Sequence, residues 1–234
     1  MKTIVYLAHP DLASSTSHQF LLSSGKEIAT CEYVDLTTEF QENQQTFNIS
    51  EERQRLLQYD RIIFQFQLHW YQAPAIMKQW LDAVLDQDDS STVFYKQLAG
   101  KELGIVLIAG IKAEHYQAGG REQLTISDLL SPYEALARHF SMKYLAPFTI
   151  HQFNYMDEPM KFDLMMRYGC FLETGAAHSF TQLQTYIVKQ LKALTPKQLE
   201  LSDTQDMLFN MFVDELEERA GELSDLIDLM DTWS

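Results

Sequence analysis

The apolar positions change period several times along the chain. Residues 3–7 form a short apolar run rich in β-formers, ended by His9-Pro10-Asp11; such a run reads as a strand buried on both faces, entering a loop. A helix is expected over about 16–24. Residues 32–36 alternate weakly and read as a second strand, and 37–50 is a polar, glutamine-rich connection without a period. Ser50 followed by Glu51 and Glu52 reads as a helix start, with the helix running to about 58. Residues 61–67 are the most apolar strand. Pro74 fits a first helical position, and Ile76, Met77, Trp80, Leu81 and Val84 then recur at three and four residues, defining a buried stripe. A fourth strand is expected at 101–109, a helix at 127–139, a fifth strand at 144–150 and a fifth helix at 180–194.

Strands alternating with helices at this spacing imply a parallel sheet covered on both faces, with ligands at the carboxyl ends of the strands. The 234 residues, 46% of them hydrophobic, suffice for one substantial core but not for two full-sized domains. Residues 151–177 and 195–234 are therefore read as additions to a five-unit domain. Pro196 marks the expected boundary between a domain at 1–196 and an extension at 197–234. Within that extension, 202–233 reads as one long amphipathic helix. Ser202 and Gln205 lie at capping-box spacing, and its stripe is Phe209, Phe212, Leu216, Ala220, Leu223, Ile227 and Met230. Gly221 weakens it by about 1 kcal/mol relative to alanine, a place to bend.

Charge narrows the function classes. The chain carries 18 basic and 33 acidic residues, a net −15, and residues 197–234 hold eleven acids against two bases, −9 of that total. An acidic chain lacks the footprint that nucleic acid requires, and an acidic polar face is repelled by anionic lipid. No apolar run approaches the roughly 20 residues of a membrane span, and the opening apolar run is too short for a signal segment, so a cytoplasmic protein without membrane insertion is expected. Cys31 and Cys170 lack metal or disulfide spacing, and no metal site is indicated.

Two loops carry candidate chemistry. Ser14, Ser15, Thr16, Ser17 and His18 place five side-chain donors at an incipient helix start, where hydroxyls and free backbone N–H groups form a phosphate cradle or, more simply, cap the helix. Trp70 and Tyr71 follow the third strand at the expected ligand edge; they offer a flat surface to a planar ring, or plug the sheet edge.

The stretch FQFQLHWYQAPAIMKQWLDAVL, residues 64–85, resembles the NAD(P)H:quinone reductases of the DT-diaphorase and Kef-ancillary-oxidoreductase group, whose pattern is F-Q-x-P-L-x-W-Y/F-x-x-P-A-x-L/M-K-x-W-x-D-x-V. It departs mainly at Gln67, where the family has proline. Ala8-His9-Pro10, Asp60-Arg61-Ile62-Ile63, Gly100-Lys101 and Tyr116-Gln117-Ala118-Gly119-Gly120 also match, so the resemblance spans about residues 1–150. It implies an α/β, flavodoxin-like doubly wound five-stranded parallel sheet with a C-terminal helical extension. It further implies a bound flavin, FMN or alternatively FAD, with NAD(P)H as co-substrate, a small quinone-type acceptor and a homodimer.

On that resemblance His9, Ser15, Thr16, Ser17 and His18 meet the flavin phosphate, and Leu68, His69, Trp70 and Tyr71 line its ring. Tyr116 stands at the ring's pyrimidine edge, with His115 beside it as a second catalytic candidate. Ala109, Gly110, Ile111 and Lys112 form the loop after strand four, where the family has Thr-Thr-Gly-Gly and this chain has Ile108-Ala109-Gly110-Ile111. A β-branched residue resists the left-handed backbone and close approach that glycine permits. Either the loop takes another path, with Lys112 bringing positive charge to the flavin, or the flavin is held loosely; loose binding is the expectation. The same departure, with the acidic tail, supports an alternative: a regulatory or interaction subunit that kept the fold and lost turnover.

Overall fold

The computed structural model describes residues 1–86, 91–194 and 199–231, and at positions 91, 224, 228, 230 and 231 the backbone alone. They divide into two compact units, Met1–Ala177 and His178–Ser234.

The first unit is built on three strands without an exposed residue before their last position: β1 (Thr3–Ala8), β3 (Arg61–Gln67) and β4 (Glu102–Ala109). Their unbroken apolar runs are what a parallel sheet covered on both faces demands. The order is β2-β1-β3-β4-β5, all parallel, with β2 (Cys31–Asp35) half-buried at one edge and β5 (Lys143–Tyr144) beyond β4. Register sets Val5 beside Ile63 and Ile63 beside Gly104.

The fifth strand comes in two pieces, β5 (Lys143–Tyr144) and β6 (Phe148–His151), both paired with β4. Pro147 lies in the break. It has no N–H for the ladder, which an edge strand tolerates.

Helices cover both faces. On one, α4 (Ala75–Val84) and α6 (Ile126–His139) bring Trp80 and Tyr133 against Tyr6, Phe64 and Phe66. The Tyr6 and Trp80 rings are 4.5 Å apart. On the other, α1 (Thr16–Gly25) and α7 (Glu158–Thr174) bring Leu21, Tyr168 and Phe171 against Val5, Ile63 and Val106. Phe171 stacks on Phe148 at 5.3 Å, and a Cβ on Gly104 would meet its ring at 3.1 Å. The glycine is the gap that lets α7 approach the sheet.

Several expectations are corrected here. The connection at 37–50 contains a helix, α2 (Leu36–Glu42), capped by Asp35, and α3 (Ile49–Leu57) starts after Asn48 rather than at Ser50. A further helix, α5 (Ser91–Leu98), precedes β4. Pro74 is the residue before α4, not its first. Residues 151–177 are no appendage: they contain α7, a sheet-covering helix, while α8 (Phe180–Ala193) groups with the C-terminal unit. The division therefore falls at 177/178; Pro196 lies outside the described residues.

In the C-terminal unit α8 packs on α9 (Asp203–Asp231), which runs through Gly221 without a break. Ser202 N–H and Oγ both donate to Gln205 Oε1, at 3.0 and 2.8 Å. Among its described side chains Val213 and Ala220 are buried, whereas Phe212, expected in the stripe, is 56% exposed and Ile227 is exposed too. The side chain of Met230 and residues 232–234 lie outside what is described.

Candidate functional site

Strand order reverses beside β1, so the loops after β1 and β3 diverge and open a crevice at the carboxyl edge. After Ala8 the chain makes a short 3-10 turn, Leu12–Ser14, capped by Asp11, and Ser15 then caps α1. Ser15, Thr16 and Ser17, with His9, form one wall of a cleft of about 240 Å³; Ala109 and Gly110 face them from the end of β4. No lysine or arginine is among the cleft-lining residues described. Its anion-binding capacity is that of the α1 N–H groups, the helix dipole and the hydroxyls.

His18 is placed differently from expectation. Its ring is fully buried behind the cleft wall, with Nδ1 3.0 Å from Ser15 Oγ and Nε2 without a partner among the described residues. Burial, with the neighbouring His9 and His69, pulls its pKa down to about 3. It is a neutral support for Ser15. His9 accepts the Asp11 N–H on Nδ1 at 3.1 Å, and Thr37 Oγ1 donates to the His9 carbonyl at 2.7 Å, which fixes the loop's exit from β1.

The second loop leaves β3 with Leu68 N–H bonded to the Ile108 carbonyl at 2.9 Å. His69 and Gln72 then exchange both backbone hydrogen bonds, at 2.9 and 3.0 Å, around Trp70 and Tyr71, whose φ values are +47° and +64°. This is a two-residue turn of the kind Asn-Gly normally makes. For side chains with a Cβ the left-handed backbone costs about 1–2 kcal/mol each. Trp70 is 92% exposed. An aromatic pair held in a strained turn and turned outward, at the edge where ligands bind, is a feature of a site more than of a core.

The loop after β4 follows its own path. Ile111 has no left-handed φ, so nothing in its backbone calls for glycine, and its carbonyl lies 3.0 Å from His151 Nδ1. Lys112 turns to Glu114, 3.6 Å away, in an exposed pair. Beyond the 3-10 turn Ala113–His115 the loop folds back at Gly120, where a Cβ would lie 2.6 Å from the carbonyl oxygens of Glu114 and His115.

That fold-back carries Tyr116 and Glu122. Burial, then Glu122 and Tyr71, raises the Tyr116 pKa and keeps its hydroxyl protonated. Tyr71 Oη donates to Glu122 Oε2 at 2.7 Å and Arg121 Nε donates to Oε1 at 2.6 Å. His115 is half-exposed, and its side chain makes no hydrogen bond among the described residues.

The structure thus joins His9 and Ser15 to Ser17 with Ala109 and Gly110, and separately joins Tyr71 with the loop of Tyr116. Outside the cleft lining are His18, Leu68, His69, Trp70, Tyr71, Ile111, Lys112, His115 and Tyr116. Sequence reading missed Glu122 and the residues after β6: Phe153, Asn154 and Tyr155 line the cleft, and Thr16 Oγ1 donates to Asn154 Oδ1 at 3.0 Å. Their one signal was position, since a segment following the fifth strand returns to the carboxyl edge; reading 151–177 as an addition hid it.

The model of a family described as having the flavodoxin-like fold matches residues 1–166. The chain belongs to that family. Among this flavodoxin-like protein's relatives is the uncharacterized NAD(P)H oxidoreductase YrkL of Bacillus subtilis, 35% identical over 149 residues, which are 64% of this chain and 84% of that protein. The crystal structure of an NADPH-quinone reductase from P. pentosaceus is 36% identical, with a TM-score of 0.66, and 74% of this chain covers 98% of it. The general stress protein 14 of Treponema denticola, solved in complex with FMN, is 24% identical with a TM-score of 0.64, covering 74% of this chain and 98% of that one. The last of these is a likeness of fold.

Proposed function

We propose that this flavodoxin-like protein is a flavin-dependent NAD(P)H oxidoreductase that passes hydride to small quinone-type acceptors. The observation that carries the proposal is the pairing, along one sheet edge, of a hydroxyl-lined helix start with an outward aromatic turn. The first suits a phosphate and the second a planar ring, so the donor set fits FMN; FAD is the alternative. When bound, the flavin supplies the hydride chemistry.

The protein's part is to hold and orient. Ser15, Thr16 and Ser17 would take the phosphate with the α1 amides; Leu68, His69, Trp70 and Tyr71 would border the ring. Tyr116 Oη, kept protonated, is a hydrogen-bond donor throughout the neutral range. His115 is assigned the supporting catalytic place beside it. The ordinary backbone of Ile111 removes one support for loose flavin binding and for a regulatory subunit without turnover. A cytoplasmic homodimer belongs to the same proposal. An apolar groove of about 820 Å³ between α4 and α6, with Leu81, Leu85 and Leu136 half-exposed, offers a face for a second copy.

The test is titration of the purified protein with FMN and with FAD, followed by NADPH, read by flavin absorption and fluorescence. Saturable binding and bleaching on reduction are expected, with Ser15→Ala and Thr16→Ala each weakening binding by roughly 0.5–1.5 kcal/mol. A protein that alters neither flavin's signal overturns the proposal.

A further inference from the structure

A two-residue turn with both residues left-handed is stable on its own when it is made of Asn and Gly. Here it is made of Trp70 and Tyr71, so something outside the turn has to hold it. The one side-chain hydrogen bond that reaches these two residues among those described comes from 51 positions away, where Tyr71 Oη donates to Glu122 Oε2 at 2.7 Å. The other carboxylate oxygen is taken by Arg121, whose Nε and Nη2 both lie 2.6 Å from it. A carboxylate paired in this way is no free charge for a cationic ligand. It is a neutralised, oriented acceptor with one oxygen committed to Tyr71.

We infer that Glu122 is a positioning residue for the acceptor side of the site: through the Tyr71 hydroxyl it fastens the 69–72 turn to the loop that carries Tyr116, holding both walls between which a planar, uncharged acceptor enters. The inference rests on the proposed flavin site for its acceptor but not for the clasp itself. A fastening that acts on the entrance alters how well the acceptor is held.

The clasp has a readout that needs no flavin. The His69 and Gln72 amides bond to each other's carbonyls across the turn, so their hydrogen exchange reports its opening. In flavin-free protein Glu122→Ala and Tyr71→Phe should each accelerate exchange at these two amides by about tenfold, the loss expected for one charge-assisted hydrogen bond at a partly exposed site. The double variant should be no faster than either single one. Glu122→Gln, whose amide oxygen still accepts from Tyr71, should restore most of the protection. In the flavin-loaded protein Glu122→Ala should raise the acceptor KM severalfold, and Glu122→Gln should reverse most of that rise.

Unchanged exchange in both single variants, or additive acceleration in the double, overturns the clasp. Accelerated exchange with an unaltered acceptor KM overturns its role at the acceptor entrance. If the wild-type protein takes up no flavin, the proposed function fails, and the exchange data still decide whether Glu122 holds the turn.

Discussion

Helices α7 and α9 show how little the number of apolar residues on a helix says about the use made of them. In α7, 17 residues long, Leu164, Tyr168, Gly169, Cys170, Phe171 and Leu172 are buried. In α9, with 29 residues, only Val213 and Ala220 are buried among the side chains described, while Met207, Leu208, Met211 and Phe212 stay more than half exposed. A sheet face is broad enough to cover much of a helix's circumference. Two helices packed on each other cover a seam and little beside it. The sheet unit therefore holds the larger core and the candidate cleft, and the two-helix unit buries little of the apolar surface of α9.

The sharpest way to break this contrast is Phe171→Ala. Its ring is fully buried and fills the space above Gly104, so its loss should cost about 3–5 kcal/mol in urea unfolding. A cost under 1 kcal/mol would mean that α7 is not the structural partner of the sheet.

A second effect, of intermediate size, belongs to His18. Its native pKa is lowered from 6.5 to about 3 by burial first and by His9 and His69 next. Below pH 6.5 the unfolded chain binds a proton that the native ring refuses. Stability present above that pH is accordingly lost as pH falls toward 3, with about 2 kcal/mol gone by pH 5. His18→Asn should flatten the stability profile between pH 7 and 5 by that amount. An equal acid sensitivity in variant and wild type would put the titrating group elsewhere.

Truncation after Ala177 sharpens the comparison from the other side. If the sheet unit is self-sufficient, flavin affinity in the 1–177 protein should stay within about twofold of the full chain, a difference below 0.5 kcal/mol. A larger loss, or insoluble protein, would give the helical unit a part in the site or in the fold. The smallest effect is expected at Phe212, where an exposed ring predicts that Phe212→Ser shifts the urea midpoint by less than about 0.5 kcal/mol equivalent. A cost above 2 kcal/mol would show that this face is covered in solution.

Much of this architecture is legible in the one-dimensional pattern because its cause is local. The runs of β1, β3 and β4, the stripe of α4 and the length of α9 follow from which neighbours along the chain are apolar, and the 64–85 motif identifies the family from contiguous residues. Tertiary structure decided the rest. It set α7 on the sheet as the cover of its second face, split the fifth strand at Pro147, and withdrew His18 from the cleft. It brought Asn154 to Thr16 and Glu122 to Tyr71. These last two contacts join residues 138 and 51 positions apart, set beside each other by the order of the parallel strands. Periodicity along the chain states which face a residue takes, but the residue it meets there is determined by how the strands are ordered in space.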